Sequence, residues 1–249
     1  MLTNMSMRHV DKFKTERMRR LGPNSVNIEL RTLRAAFNIA KRWDLIEQNP
    51  FSNVKLARVP EREPVFFSKD DLRKLLAAIK EDWLKAMVVL ALYTGMRRAE
   101  ITNLRWQDVD FERKTIRVES NATFKTKQGK RRIIPLADTA LNLLQVRQLT
   151  KRNEYVFTLN GRKIYDNWVT HKFKFYLNEV NLNDRLHFHS LRHTFASWLV
   201  QDGVSLFEVQ KLMGHSNISV TQVYSHLLPE TLHSTVNKIN LDSDVATIY

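Results

Sequence analysis

Apolar residues recur at helical spacing through most of the chain, and this periodicity predicts a mainly α-helical protein. The clearest case is residues 25–43, whose apolar positions fall on one side of a helix: Val26, Leu30, Leu33, Phe37 and Ala40. A second face, about 100° around the same helix, carries donors and cations without an acid: Asn27, Arg31, Arg34, Asn38 and Lys41. That second face suits either contact with phosphates or exposure to solvent.

The same pattern predicts further helices, and period-two alternation predicts a small sheet. The helices are expected over residues 10–20, 68–79, 83–94, 98–104, 138–150, 167–179, 190–202, 205–213 and 217–226. Residues 115–119 alternate as a strand, and 122–127 with 130–135 form a hairpin that turns at Gln128-Gly129. Gly22 is expected to end the first helix in the left-handed conformation, before Pro23. The predicted fold class is therefore mainly α with a small antiparallel β-sheet (α+β).

A segment rich in proline and charged residues separates two helical regions. Pro60 and Pro64 stand among charged residues and favour extended backbone. We therefore expect a first domain over 1–51, a linker over 52–67, and a second domain over 68–249 with a C-terminal tail at 228–249. A domain of about 50 residues is marginal for a hydrophobic core. The first domain is thus expected to be incomplete, or to fold firmly only on a partner.

The charge balance narrows the class of partner. The chain has 249 residues, with 40 basic and 26 acidic side chains, a net charge of +14 and a pI near 10.1. Such a charge favours a polyanionic partner, although a merely basic soluble protein has the same balance. The absence of cysteine excludes thiol catalysis and thiolate zinc sites. No apolar run approaches the roughly 18 residues of a membrane span, and residues 1–20 do not resemble a signal peptide, so we expect a cytoplasmic protein.

A few scattered side chains fit one reaction, the attack of a tyrosine on a phosphodiester. A phenol must lose its proton as it attacks, and the charge that gathers on the phosphate oxygens needs fixed cations, best supplied by planar guanidinium groups. The leaving 5′ oxygen then needs a proton. Candidates for these tasks are Arg97, Lys127, His189, Arg192, His215 and Tyr224.

Four segments carry these residues in order, and they resemble the signature boxes of the tyrosine recombinase (phage integrase) family. The segments are 94–101, 127–136, 189–196 and 212–225, and the similarity covers roughly residues 64–228. The resemblance implies that Arg97 and Arg192 stabilise the transition state and that Tyr224 is the nucleophile. It also gives a role to each remaining member of the set: Lys127 as the general acid, His189 as the proton acceptor, His215 as a phosphate ligand and Glu100 as the support of Arg97.

The resemblance further implies a site-specific DNA recombinase that cleaves and rejoins double-stranded DNA through a 3′-phosphotyrosyl intermediate, in integration or excision of mobile DNA. It implies no metal and no other cofactor. A catalytic domain would follow a helical DNA core-binding domain whose start is missing. The expected assembly is a homotetramer on DNA, with a monomer as an alternative without DNA, and an accessory directionality factor is a further expected partner. An apolar stripe in the tail would pack on a neighbouring protomer or on its own domain: Leu228, Leu232, Val236 and Ile239.

Several assignments keep an alternative. Lys125 lies close enough to replace Lys127, and His193 is interpreted as a core residue. His187, His189 and His193 lack a neighbouring carboxylate at ligand spacing, which argues against a metal site. DNA contacts are expected from Arg31, Arg34, Lys41, Lys125, Arg131 and Arg132.

Two rival functions remain: an enzyme like the type IB topoisomerases, which needs no synapsis, and a DNA-binding regulator without catalysis.

Overall fold

The protein was analysed as a computed structural model that describes residues 5–60, 63–119 and 131–228. The chain divides into two compact units, residues 1–62 and 63–249. Within the described residues, no helix is both long enough and apolar enough to cross a membrane.

The first unit is built on two helices, α1 (Met7–Arg20) and α2 (Pro23–Arg42). Their packed faces, together with the chain that follows α2, bury one small core: Val10, Val26, Leu30, Phe37, Ile46, Phe51 and Val54. Arg17 of α1 also forms an ion pair with Glu29 of α2. The apolar face predicted for residues 25–43 is thus the face that packs.

Part of the polar face of α2 forms hydrogen bonds to the segment that follows the helix. The buried Asn27 side chain donates to the carbonyl of Ala57 and accepts from its amide, both at 2.8 Å. Arg34 donates to the carbonyls of Phe51, at 2.9 Å, and Val54, at 2.7 Å. The expected linker therefore begins later than residue 52. The guanidinium of Arg34 therefore donates hydrogen bonds within the unit. Arg31 and Lys41 remain exposed.

The junction between α1 and α2 differs from the prediction. Gly22 has a φ of −68° and is the residue that precedes α2, while Leu21 ends α1 in extended geometry. The expected left-handed glycine is therefore wrong. The physical reason is Pro23, whose fixed φ suits the first position of a helix and whose missing amide costs nothing there.

The second unit surrounds the apolar helix α4 (Asp82–Thr94), which contacts α6 (Asp138–Leu149) and α8 (Ser190–Gln201). Leu84, Met87, Val88 and Leu90 of α4 are fully buried. The remaining helices are α3 (Lys69–Ala78), α5 (Arg98–Thr102), α7 (Asp166–Glu179) and α9 (Leu206–Met213). Ser68 caps α3 by accepting the amide of Asp71, as its sequence predicts.

Short strands complete this unit. β1 (Val109–Asp110), β2 (Thr115–Val118) and β3 (Arg132–Pro135) form an antiparallel sheet in that order. A second hairpin joins β4 (Thr158–Leu159) to β5 (Arg162–Lys163). It was not predicted, although its turn residues Asn160-Gly161 are a strong hairpin signal. The expected hairpin at 122–135 is described only from residue 131 onward, where β3 pairs with β2. The confirmed fold class is mainly α with small antiparallel sheets.

The segment expected as a helix over 217–226 instead forms two 3₁₀ turns, Ile218–Val220 and Gln222–Leu227. They meet at Thr221, which is fully buried and hydrogen-bonded to the ring of His215. β-Branched residues also crowd this stretch and weaken α-helix formation: Ile218, Val220, Thr221 and Val223. The buried side chain of Thr221 thus lies at the junction of the two turns and joins it to His215.

We predict that Asn27→Ala loosens the segment after α2, because the backbone of Ala57 loses both hydrogen bonds. Loss of such a buried pairing costs about 1–3 kcal/mol. The measurement is hydrogen exchange at the Ala57 amide, with urea unfolding beside it. Asn24→Ala is the control, since Asn24 is exposed on the same helix. Equal exchange rates in the two variants would contradict the pairing.

Candidate active site

Arg192 is the buried centre of the candidate site. It lies on α8 with 2% of its surface exposed, and its guanidinium donates to the carbonyls of Gly95 and of Met213, the latter at 2.6 Å. These carbonyls end α4 and α9, where helix dipoles place partial negative charge. Burial, and then the charge of Arg97, lower the pKa of Arg192 to about 9, so it remains a cation at neutral pH.

Glycine creates both of these helix ends. Gly95 follows α4 with a φ of 60°, and Gly214 follows α9 with a φ of 65°. Both lie in the left-handed region that favours glycine. The turn at Gly95 leads directly to Arg97, and the turn at Gly214 leads directly to His215. Arg192 therefore ties together the two turns from which these side chains start.

Glu100 holds two arginines with one buried carboxylate. Its Oε1 accepts from Arg97 Nη1 at 2.9 Å and from Arg132 Nη1 at 2.9 Å, while its Oε2 accepts from Arg132 Nη2 at 2.5 Å and from the Arg97 amide at 2.8 Å. Burial opposes ionisation of Glu100, but the hydrogen bonds and charge of Arg132, and then of Arg97, outweigh it and lower the pKa to about 2. Two guanidinium groups facing one carboxylate leave a net positive charge.

Arg132 also packs beneath the turn that carries His215. A Cβ atom built on Gly214 would lie 2.5 Å from Cδ of Arg132 and 3.1 Å from its Nε. The side chain of Arg132 is 11% exposed. We expected this residue to contact DNA; the structure instead directs its guanidinium into the site, where it links Glu100 of α5 to the end of α9.

His215 is half-buried, and its ring shares a hydrogen bond of 2.9 Å between Nδ1 and the Thr221 hydroxyl. The partner on Nδ1 fixes the ring plane and leaves Nε2 for a ligand. Burial lowers the pKa of His215 to about 4, and the charges of Arg192 and Arg97 act in the same direction. The ring is therefore neutral at pH 7 in the absence of a bound anion.

Tyr224 lies behind α8 with 1% of its surface exposed, in a small core with Ala196, Val200, Val209 and Met213. Its hydroxyl shares a hydrogen bond of 2.6 Å with Nδ1 of His193. Burial raises the pKa of Tyr224 to about 12, against the opposing charge of Arg192. The phenol is therefore protonated and covered in this conformation.

His193 is only half-buried and bonds to Tyr224, so its interpretation as a core residue is wrong. It follows Arg192 directly in the sequence, and that adjacency was the signal available. Arg132 and Thr221 are further site residues whose roles needed the fold. By contrast, His189 precedes α8, exposed, with its ring centroid 5.1 Å from that of His193. Removal of water from around its ring, then the neighbouring His193 and Arg192, lower its pKa to about 3.

The remaining expected residues of this unit lie outside the described residues or on the surface. Lys125 and Lys127 lie outside the described residues, as does the tail after Leu228. Arg131 is exposed and lies 3.7 Å from the carboxylate of Glu119. Within residues 5–60, 63–119 and 131–228, no group of three histidine or carboxylate side chains is arranged to hold a metal ion.

We predict that Gly214→Ala destabilises the protein more than Gly203→Ala. Both glycines have positive φ, so each alanine costs about 1–2 kcal/mol of backbone strain. Only at Gly214 does the new methyl group meet Arg132; at Gly203 no heavy atom lies within 4 Å. Overpacking adds roughly 1–3 kcal/mol. Urea unfolding measures both, and equal losses would show that Arg132 does not pack there.

We predict that Glu100→Gln lowers the free energy of unfolding at neutral pH by about 3 kcal/mol, from a pKa of about 2 against an ordinary 4.5. A lowered folded-state pKa stabilises the protein above pH 4.5, and that stabilisation disappears as the pH falls towards 2. The difference between the variant and the wild type should shrink over this range. Chemical unfolding at a series of pH values measures it, and a constant difference would argue against the ionised carboxylate.

Comparison with known proteins identifies relatives across most of the chain. Residues 65–231 match the model of the phage integrase family. A tyrosine recombinase XerC from Pediococcus pentosaceus is 32% identical over 240 residues, covering 88% of this chain and 77% of the relative. A tyrosine recombinase from Thermosipho africanus is 30% identical, covering 84% of this chain and 73% of that protein.

Two solved structures of integrases are similar to this chain in fold. The Tn1549 transposon integrase in complex with a circular intermediate DNA has a TM-score of 0.80 at 21% identity, covering 95% of this chain and 86% of that one. A lambda integrase dimer bound to a COC′ core site has a TM-score of 0.77 at 20% identity, covering 90% and 80% of the two chains. With the family match and the similarity to these recombinases, this chain belongs to the phage integrase family and is a tyrosine recombinase, an enzyme of site-specific DNA cleavage and rejoining.

Proposed function

We propose that this recombinase cleaves double-stranded DNA with Tyr224 as the nucleophile and forms a 3′-phosphotyrosyl intermediate. One observation carries the assignment. The buried guanidinium of Arg192 joins the turn that leads to Arg97 with the turn that leads to His215. Tyr224 packs against the helix that bears Arg192. Residues far apart in the chain thus meet around one cationic centre.

Arg97 and Arg192 stabilise the phosphorane-like transition state in this proposal. Arg97 donates from Nη1 to Glu100, so it retains other donors for a non-bridging phosphate oxygen. Arg192 is fixed by two carbonyls and acts as a preorganised charge in a water-poor place, where electrostatic stabilisation is strongest. His215 offers Nε2 to the same phosphate, since Thr221 holds Nδ1.

The 5′ oxygen that leaves must gain a proton, and Lys127 is the proposed general acid, with Lys125 as the alternative. Neither lies within the described residues. β3 supports the assignment indirectly, because it follows these lysines and places Arg132 in the site. The family resemblance assigns the proton-accepting role to His189, whose exposed ring lies beside that of His193. No metal, cofactor or ATP is needed, because the phosphotyrosyl ester retains the energy for religation.

Double-stranded DNA is the proposed partner. The net charge of +14 supports it, and so do the related integrases solved with DNA. Further DNA contacts are proposed from Arg31, Lys41 and Arg131, which are exposed. Assembly as a homotetramer on two duplexes, a monomer without DNA, an accessory directionality factor, a cytoplasmic location, and use in integration or excision remain proposals from family resemblance.

We predict a covalent adduct between the wild-type protein and nicked duplex DNA in the presence of EDTA. The nick lets a short fragment diffuse away after cleavage, which prevents religation and traps the intermediate. Randomised duplexes serve as the probe, and the adducts are resolved on a denaturing gel and sequenced. Tyr224→Phe should abolish the adduct because the attacking oxygen is absent.

Tyr165→Phe is the matched control, since this tyrosine is 72% exposed and should leave adduct formation intact. An adduct that survives Tyr224→Phe would reject the assigned nucleophile. DNA binding without any adduct would favour a regulator that binds DNA without cleaving it. Relaxation of supercoiled DNA by a monomer, without exchange between duplexes, would favour a topoisomerase-like enzyme.

A further inference from the structure

The hydroxyl of Tyr224 has one specific polar partner in the described structure, and it is not the histidine that the family motif supplies. Nδ1 of His193 lies 2.6 Å from the Tyr224 oxygen, with the two ring centroids 6.0 Å apart at an angle of 50°. Within the described residues, no hydrogen bond joins Tyr224 to His189. His193 is therefore the imidazole in direct contact with the reacting atom.

We propose that His193 is a catalytic residue that accepts the proton of Tyr224 during DNA cleavage. With the imidazole hydrogen on Nε2, Nδ1 accepts the phenolic hydrogen bond. As the Tyr224 oxygen bonds to phosphorus, its O–H bond breaks, the proton moves to Nδ1, and the P–O5′ bond breaks. Religation runs the same step backwards and returns the proton from His193 to Tyr224. This inference rests on the assignment of Tyr224 as nucleophile.

The surroundings of His193 suit a base in the resting protein. Burial, then His187 and Arg192, lower its pKa to about 4, so its ring is neutral and ready to accept. The facing titratable and charged groups are the neighbouring His189, the partner Tyr224, and His187 and Arg192. No carboxylate contributes to the shift in the pKa of this ring. A DNA phosphate at Arg192 brings negative charge that raises the proton affinity of His193 when the transfer is needed.

Transfer of the Tyr224 proton to His193 and attack of the Tyr224 oxygen on phosphorus favour each other. A phenol with a pKa near 12 does not ionise by itself at neutral pH. Once its oxygen bonds to phosphorus, however, it becomes an ester oxygen with little basicity, so the proton leaves downhill as the bond forms. The exposed His189 lies in edge-to-face contact with His193, with the ring centroids 5.1 Å apart.

The direction of the hydrogen bond can be measured without DNA. Nitrogen-15 NMR of the histidine rings reports whether Nδ1 of His193 carries hydrogen. We expect an unprotonated Nδ1 whose resonance shifts in Tyr224→Phe, because that variant removes the donor. A protonated Nδ1 that donates to Tyr224 would overturn the proposal.

Single-turnover cleavage separates the base from the general acid. The substrate is the duplex recovered by adduct capture, made with either an ordinary phosphate or a 5′-bridging phosphorothiolate, whose sulfur leaves without a proton. We expect His193→Asn to slow adduct formation about 100-fold or more on both substrates, as for loss of a general base. Higher pH should partly restore the rate, because hydroxide then deprotonates the phenol.

His193→Gln provides a second variant if His193→Asn fails to fold, and His226→Asn is the matched control. His226 is exposed on the same 3₁₀ turn as Tyr224. Wild-type rates in the His193 variants would overturn the proposal. So would a defect that the phosphorothiolate restores, since that result places His193 on the leaving group. Failure of the nucleophile assignment looks different: the wild type itself forms no adduct, or Tyr224→Phe still forms one.

Discussion

The second unit depends on burying one positive charge. Arg192 is almost fully covered by protein, and leaving its guanidinium without partners would cost several kcal/mol. The ends of two helices offset this cost. Each ends in a glycine turn beside the guanidinium and supplies a carbonyl that accepts a hydrogen bond from it. Arg192 thus joins the glycine-terminated ends of α4 and α9. It thereby holds together the starts of the segments that lead to Arg97 and His215.

A second constraint is the shared carboxylate of Glu100. Like-charged arginines repel, and a phosphate site needs several of them close together. Glu100 accepts from both Arg97 and Arg132, which offsets that repulsion while leaving the site positive. Arg132 then reaches beneath Gly214, so the sheet, α5 and the end of α9 share one charge network. Displacing any one of these elements would leave a buried charge without its partner, which costs several kcal/mol.

The segment that bears Tyr224, the proposed nucleophile, is built differently from the cationic centre. Tyr224 is covered by apolar side chains and bonded to His193, in a segment of 3₁₀ turns rather than a regular helix. A 3₁₀ segment has poorer hydrogen-bond geometry than an α-helix. The cationic centre is thus held by a buried carboxylate and helix-end carbonyls, whereas Tyr224 is held by apolar packing and its hydrogen bond to His193.

The amphipathic pattern alone predicted most helices, because the face that packs is written into the spacing of apolar residues such as Val26, Leu30 and Phe37. Glycine and serine likewise marked helix ends at Gly95, Gly214 and Ser68, since their effects are local. The order of Arg97, His189, Arg192, His215 and Tyr224 predicted the family for a related reason: the residue types report the chemistry that they must perform.

Only the tertiary structure decided which partner each polar group finds. Arg34 and Arg132 resemble surface cations in the sequence, but one holds backbone carbonyls and the other a buried carboxylate. His193 resembles a core residue and instead meets Tyr224, 31 positions away. Thr221 lies in a segment expected to be one helix, and instead it joins two 3₁₀ turns and contacts the ring of His215. Most helices, the charge and the family could be predicted because these depend on neighbours along the chain. Hydrogen-bond partners depend on distances between remote segments, which only the packed fold defines.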